Sequence, residues 1–156
     1  LARYNSQLVS ATAVGVDTAF GWFGYLTTVA KLRRVTLGIG VTSGSIVSQQ
    51  CVVGFNVTTG ALGTPTKATA NAMDAGSPAS TSGGLISAAG TPPTLGATTA
   101  DAFKVAFNTQ SGADLPWEQL EEWRIGGSTS LGIAFVNRVT ALPANHEYIL
   151  SVEFEE

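Results

Sequence analysis

Lys31-Leu-Arg-Arg-Val-Thr-Leu-Gly-Ile-Gly-Val-Thr42 is the stretch that decides the fold class. Extended, it sets Val35, Leu37, Ile39 and Val41 on one face and Arg34, Thr36, Gly38 and Gly40 on the other. A period of two belongs to a strand with one face in a core and one face out. The two outer glycines leave room for another backbone or side chain to approach closely.

Outward from this strand the pattern repeats. Ser43-Gly44 is a turn signal. Residues 46–58 alternate with Val47, Cys51, Val53, Phe55 and Val57 inward, and the spacing predicts a hairpin with 31–42. Upstream, Phe20-Gly-Trp-Phe-Gly-Tyr-Leu26 is aromatic and reads as a short first strand. Residues 1–18 are polar and weakly patterned. They predict an N-terminal arm, ordered only by a partner, ahead of a single β-domain over 19–156. The first ten residues lack the basic-then-apolar plan of a secretory leader.

Downstream, residues 59–102 are rich in Thr, Ala, Gly, Ser and Pro, with Met73, Leu85, Ile86 and Leu95 as the large apolar exceptions. A structureless loop of this length is uncommon in a compact domain. The expectation is a long excursion holding one or two short strands, one of them near 83–88. Residues 102–108 alternate with Phe103, Val105 and Phe107 inward. Between 114 and 123 two readings stand. Asp114 and Pro116 can open a helix that shares Trp117, Leu120 and Trp123 on one face, or 121–125 is a strand. Residues 131–140 and 147–154 are the last strands, with Leu150, Val152 and Phe154 inward. About seven or eight short strands, each with one polar face, predict an all-β fold: an antiparallel jelly-roll-like sandwich or barrel with a long Thr/Ala/Gly-rich excursion.

Composition narrows the function. The chain has 156 residues, suited to one domain, and 44% apolar residues, enough for a core. Only 12% are charged, about half the ~25% of an ordinary soluble domain. Such a surface suits a protein covered by neighbours in an assembly. Of eight basic residues only Lys31, Arg33 and Arg34 cluster. A sequence-independent nucleic-acid binder needs a basic stripe, so nucleic acid is not expected as a partner. The apolar runs are too short for a membrane helix, so neither is a membrane.

Chemistry is thin. His146 is the single histidine, in a turn beside Glu147, and reads as a solvated polar residue. No serine sits in a Gly-x-Ser-x-Gly elbow. One His and the lone Cys51 leave no zinc ligand set, and Cys51 reads as a small buried hydrophobe. Glu118, Glu121 and Glu122, like Glu153, Glu155 and Glu156, lack the spacing of a calcium loop. Gly38-Ile-Gly-Val-Thr-Ser-Gly44 lies inside a strand, where a dinucleotide loop does not. Asn56-Val-Thr58 is a formal sequon within a strand. The expectation is a non-enzyme without metal or cofactor. Candidate partner-binding residues are Arg3, Tyr4, Asn5, Trp22, Tyr25, Trp117 and Trp123, since Trp, Tyr and Arg anchor interfaces.

The order and texture of the chain resemble tailed-phage capsid decoration (cement or auxiliary head) proteins. The resemblance rests on several features, beginning with the opening Ala2-Arg3-Tyr4-Asn5 and the aromatic strand that follows it. Arg33-Arg34 then leads into an alternating strand with Gly38. The Thr/Ala/Pro-rich middle carries Lys67, Asp74 and Pro78-Ala79. Leu131-Gly-Ile-Ala precedes the acidic ending Ser151-Val-Glu-Phe-Glu-Glu156. It implies a jelly-roll-like protein on the outside of a phage head. Such a protein forms a homotrimer, binds the major capsid protein and clamps the expanded shell. Two alternatives remain open: a tail or head-fibre receptor-binding module, and a carbohydrate-binding β-sandwich with a Trp117–Trp123 platform.

Overall fold

The computed structural model describes residues 2–24, 28–58, 68–80, 84–87, 94–118, 123–126 and 132–156. These hold eleven strands: β1 (Arg3–Thr12), β2 (Thr18–Gly24), β3 (Ala30–Val41), β4 (Gln50–Val57), β5 (Ala70–Ala72), β6 (Gly84–Ser87), β7 (Asp101–Asn108), β8 (Ala113–Pro116), β9 (Trp123–Ile125), β10 (Gly132–Arg138) and β11 (His146–Glu155). One sheet runs β5-β1-β11-β3-β8, with β9 also paired to β3. The other runs β6-β2-β10-β4-β7. Every ladder is antiparallel.

The connectivity is nested. Set aside the short β5, β6 and β9, and the rest pair first with last: β1 with β11, β2 with β10, β3 with β8, β4 with β7. The ladders β11–β3 and β10–β4 then close the two sheets. A long antiparallel hairpin rolled up in this way is a jelly roll. The expected fold class is the observed one.

Two local expectations change, and one left open is decided. Residues 3–12 are not an arm: β1 lies between β11 and β5, with Tyr4 and Leu8 in the core. Its inward face alternates Tyr4, Ser6, Leu8 and Ser10. Half of that face is serine, which hid the period of two. Residues 31–42 and 46–58 do not form a hairpin. Strands β3 and β4 belong to opposite sheets, so their apolar faces meet across the core instead of lying side by side. The link between them crosses the end of the sandwich, and Val47 is exposed on it. Val57, at the end of β4, is exposed as well. Of the two readings between 114 and 123, the strand expected at 121–125 is seen as β9 over its described part. Asp114 and Pro116 lie in the unexpected strand β8 instead of opening a helix, and residues 119–122 lie outside the described residues.

The core takes the inner faces of both sheets. A bulge in β2 opposite Phe135 and Val136 supplies one extra residue. It allows Phe20 and Phe23, three apart, both to enter the core, while Trp22 turns to the outside of the second sheet. Phe20 stacks on Tyr148 with centroids 4.0 Å apart, and Phe23 and Tyr4 both pack on Phe154. Phe55 lies between Phe103 and Phe135.

Within the excursion, Leu95, Gly96 and Ala97 lie against the outside of the second sheet. Trp22 forms a small apolar cluster there with Ala19, Ala134 and Val136, against which Leu95 packs. Leu95 also bridges Thr58. The indole lies over Gly24 and Gly132, where an added Cβ would come within 2.5 and 2.6 Å of it. Only glycine leaves room for a flat ring there. The indole Nε1–H donates to Thr58 Oγ1 at 3.1 Å, and that hydroxyl donates to the Gly132 carbonyl.

Candidate functional site: a neutral sheet face

The two outer faces of the sandwich differ. That of the second sheet is buried over β10 and much of β4 and tied down by charge, while Ala102, Lys104 and Ala106 of the edge strand β7 stay exposed. Arg138 makes two bonds to Asp101, at 2.9 and 3.1 Å, and one to Asp17 at 2.8 Å. Asn56 Nδ2 donates to Asp101 Oδ1 and to the Ala97 carbonyl, and its Oδ1 accepts from Gly96 N–H. Burial opposes ionisation of Asp101, but hydrogen bonds from Arg138 and Asn56 and the charges of Arg138 and Lys104 outweigh it. Its carboxyl is held below the ordinary aspartate range. This wiring buries Asn56 completely and closes the sequon to a glycan.

The outer face of the first sheet carries no such cover among the described residues. Its register lines residues up in rows across the strands. Val9, Ile149 and Gly38 are one row. Gln7, Ser151, Thr36 and Asp114 are the next, and Asn5, Glu153, Arg34 and Pro116 the one beyond. Val9 is 54% and Ile149 45% exposed. A Cβ at Gly38 would meet nothing within 4 Å, whereas one at Gly40 would touch Ile149. A shallow open depression of about 400 Å³ results, lined by Gln7, Thr36, Gly38, Ile39, Ile149 and Ser151 among others. The centre of the face is neutral. Charge begins only at Arg34, which makes a two-bond pair with Asp114 at 2.7 and 2.5 Å, and at Glu147 and Glu153.

The candidate residues named from sequence divide. Arg3 and Asn5 stand at one end of this face, bonded to β11: Arg3 Nε lies 3.5 Å from Glu155, and Asn5 Nδ2 donates to Ser151 Oγ at 2.8 Å. Tyr4 and Trp22 are buried inside the chain and cannot anchor a partner. Tyr25 lies outside the described residues. Trp117 and Trp123 are half-buried and pack on Phe103 at interplanar angles of 54° and 48°. Both rings serve to close the β7–β8 side of the sandwich.

Sequence reading missed Val9 and Ile149. Ile149 had a signal. With Leu150, Val152 and Phe154 inward, an isoleucine one position earlier must point out. Val9 was hidden by the reading of 1–18 as an arm.

His146 and Cys51 are both buried. His146 is 2% exposed, not solvated. Its Nε2 accepts from Val47 N–H and its Nδ1–H donates to the Ala144 carbonyl, both at 2.9 Å. The ring pins the link between β3 and β4 to the last strand. Cys51 is buried, as expected, and burial pushes its thiol up. No group of three or more His, Cys, Asp or Glu side chains comes together among the described residues. No helix among them is long and apolar enough to cross a membrane.

Comparison with known proteins finds no matching family model, no matching curated protein and no matching solved structure.

Proposed function

We propose that this chain is a non-catalytic virion protein, a decoration protein on the outside of a phage head that packs against the major capsid protein and against itself. The observation that carries the reading is the open, neutral outer face of the first sheet, centred on Val9, Ile149 and Gly38. A protein with 12% charged residues and a face of this kind, bare among the described residues, is built to be covered. The resemblance of the sequence to decoration proteins supplies the partner. The jelly roll is also the architecture of lectin and cupin domains, so the fold alone does not choose among them.

The physical logic is mass action. A ligand that binds only the expanded shell stabilises that shell, and many weak copies acting on one lattice gain avidity. The test is the temperature at which expanded, DNA-filled heads of a tailed phage rupture, with and without the purified chain. The reading expects a rise that saturates with added protein. No rise at saturating protein contradicts it.

A further inference from the structure

We infer that the outer face of the first sheet is a two-fold contact between copies of this chain, in which Ile149 of each copy seats over Gly38 of the other. The inference deepens the self-packing half of the proposed function and rests on it.

The register carries the argument. Take two copies face to face, related by a two-fold axis that lies in the interface along the strands, midway between β11 and β3. Each β11 residue then lies over the β3 residue of its own row in the other copy. Ile149 falls over Gly38, Ser151 over Thr36, and Glu153 over Arg34. One strand further out, Gln7 falls over Asp114. Symmetry makes each contact twice. All four are complementary: an exposed side chain over an empty Cβ position, two hydroxyls, opposite charges, and an amide donor over a carboxylate.

An axis across the strands does worse. Centred on the same row, it sets Ile149 on Ile149 and leaves the two Gly38 positions facing each other over a void, which loses packing. The axis along the strands also suits sheets that pack with nearly aligned strands.

The area sets the strength. Four strands about 4.8 Å apart and three to four same-face rows give roughly 400 Å² per copy. That is about half the ~800 Å² per partner of a standard stable interface. The contact is therefore weak in free solution and effective when other contacts hold many copies together.

The test is the mass of the full chain by sedimentation over a wide concentration range, beside Gly38→Arg, Glu153→Arg and Arg34→Glu. Gly38 is exposed to open space and its φ is outside the left-handed region, so Gly38→Arg folds, as a thermal melt checks. The native chain is expected to reach an even multiple of the chain mass at high concentration, and Gly38→Arg to halve it. Each charge variant alone sets like charges across the axis and weakens association at least tenfold. Mixed in equal amounts, they restore opposite charges at both contacts and regain it. A native mass that never doubles, or one that Gly38→Arg leaves unchanged, overturns the inference. The masses are read without any phage head, so pairing that is present in the native chain and lost in Gly38→Arg stands even if the chain leaves heads unstabilised. A chain that stabilises heads but never doubles its mass overturns this contact alone.

Discussion

Tyr148 donates its hydroxyl to Asn137 Oδ1 at 2.6 Å, a buried bond that joins strand β11 of one sheet to strand β10 of the other. Asn137 spends its amide on the carbonyls of Val14, Gly15 and Thr140, which sit in the loops at that end of the roll. Burial pushes the Tyr148 phenol far above the ordinary tyrosine range, so it stays a donor at every working pH. Tyr148→Phe leaves Asn137 Oδ1 buried without that donor, at a cost of about 1–3 kcal/mol. Asn137→Ala should cost more, because the Tyr148 hydroxyl loses its acceptor and the Gly15 and Thr140 carbonyls lose the amide, while the Val14 carbonyl keeps the Leu142 N–H. Urea unfolding of both variants checks the order.

The core position of Phe55 predicts a larger loss. Its ring is fully buried between Phe103 and Phe135. Phe55→Ala should destabilise by about 3–5 kcal/mol. Denaturant midpoints measure it, and a loss under about 1 kcal/mol contradicts the inward face assigned to β4.

Strand β1 gives a contrast between sequence and structure that an experiment can read. Deleting residues 1–16 removes the ladder on one side of β11 and the core side chains Tyr4 and Leu8. The truncated chain should fail to fold, judged by the loss of β-sheet circular dichroism and of a cooperative melt. A folded truncation shows that β1 is dispensable.

That strand also marks where the sequence was legible and where it was not. Strands β3, β7 and β11 announce themselves because their inward positions are nearly all Val, Leu, Ile or Phe. β1 carries Ser6 and Ser10 at inward positions, and the apolar period vanishes though the strand does not. The false hairpin of 31–42 with 46–58 has another cause. Period-two alternation fixes which face is buried but not which sheet a strand joins, and here a crossover held by His146 and Thr109 decides it. The contact face was half legible. Gly38 and Gly40 stood out on an outer face, while Val9 and Ile149 needed the register to join them.

Acid should weaken the cover of the second sheet. Asp101 has its folded-state carboxyl held below the ordinary aspartate value, by Arg138 and Asn56 against the burial that opposes it. A depressed value means the stabilisation is full above the unfolded aspartate range, near ~3.9. It is lost as pH falls below that range through the folded value. Stability should therefore be level from pH 7 to 5 on account of this group and fall below about 4. Asp101→Asn should flatten part of that acid limb, as pH-dependent urea midpoints will read.

Removing the other partner tests the same network at neutral pH. Arg138→Met leaves the buried Asp101 carboxylate without its two-bond cation, and breaking such a pair costs about 3–5 kcal/mol.

Cosedimentation of the purified chain with empty phage heads, expanded and unexpanded, tests the central claim most directly. The account expects saturable binding to expanded heads in a fixed ratio to the shell protein, and little to unexpanded ones. A chain that stays in the supernatant at every concentration contradicts it.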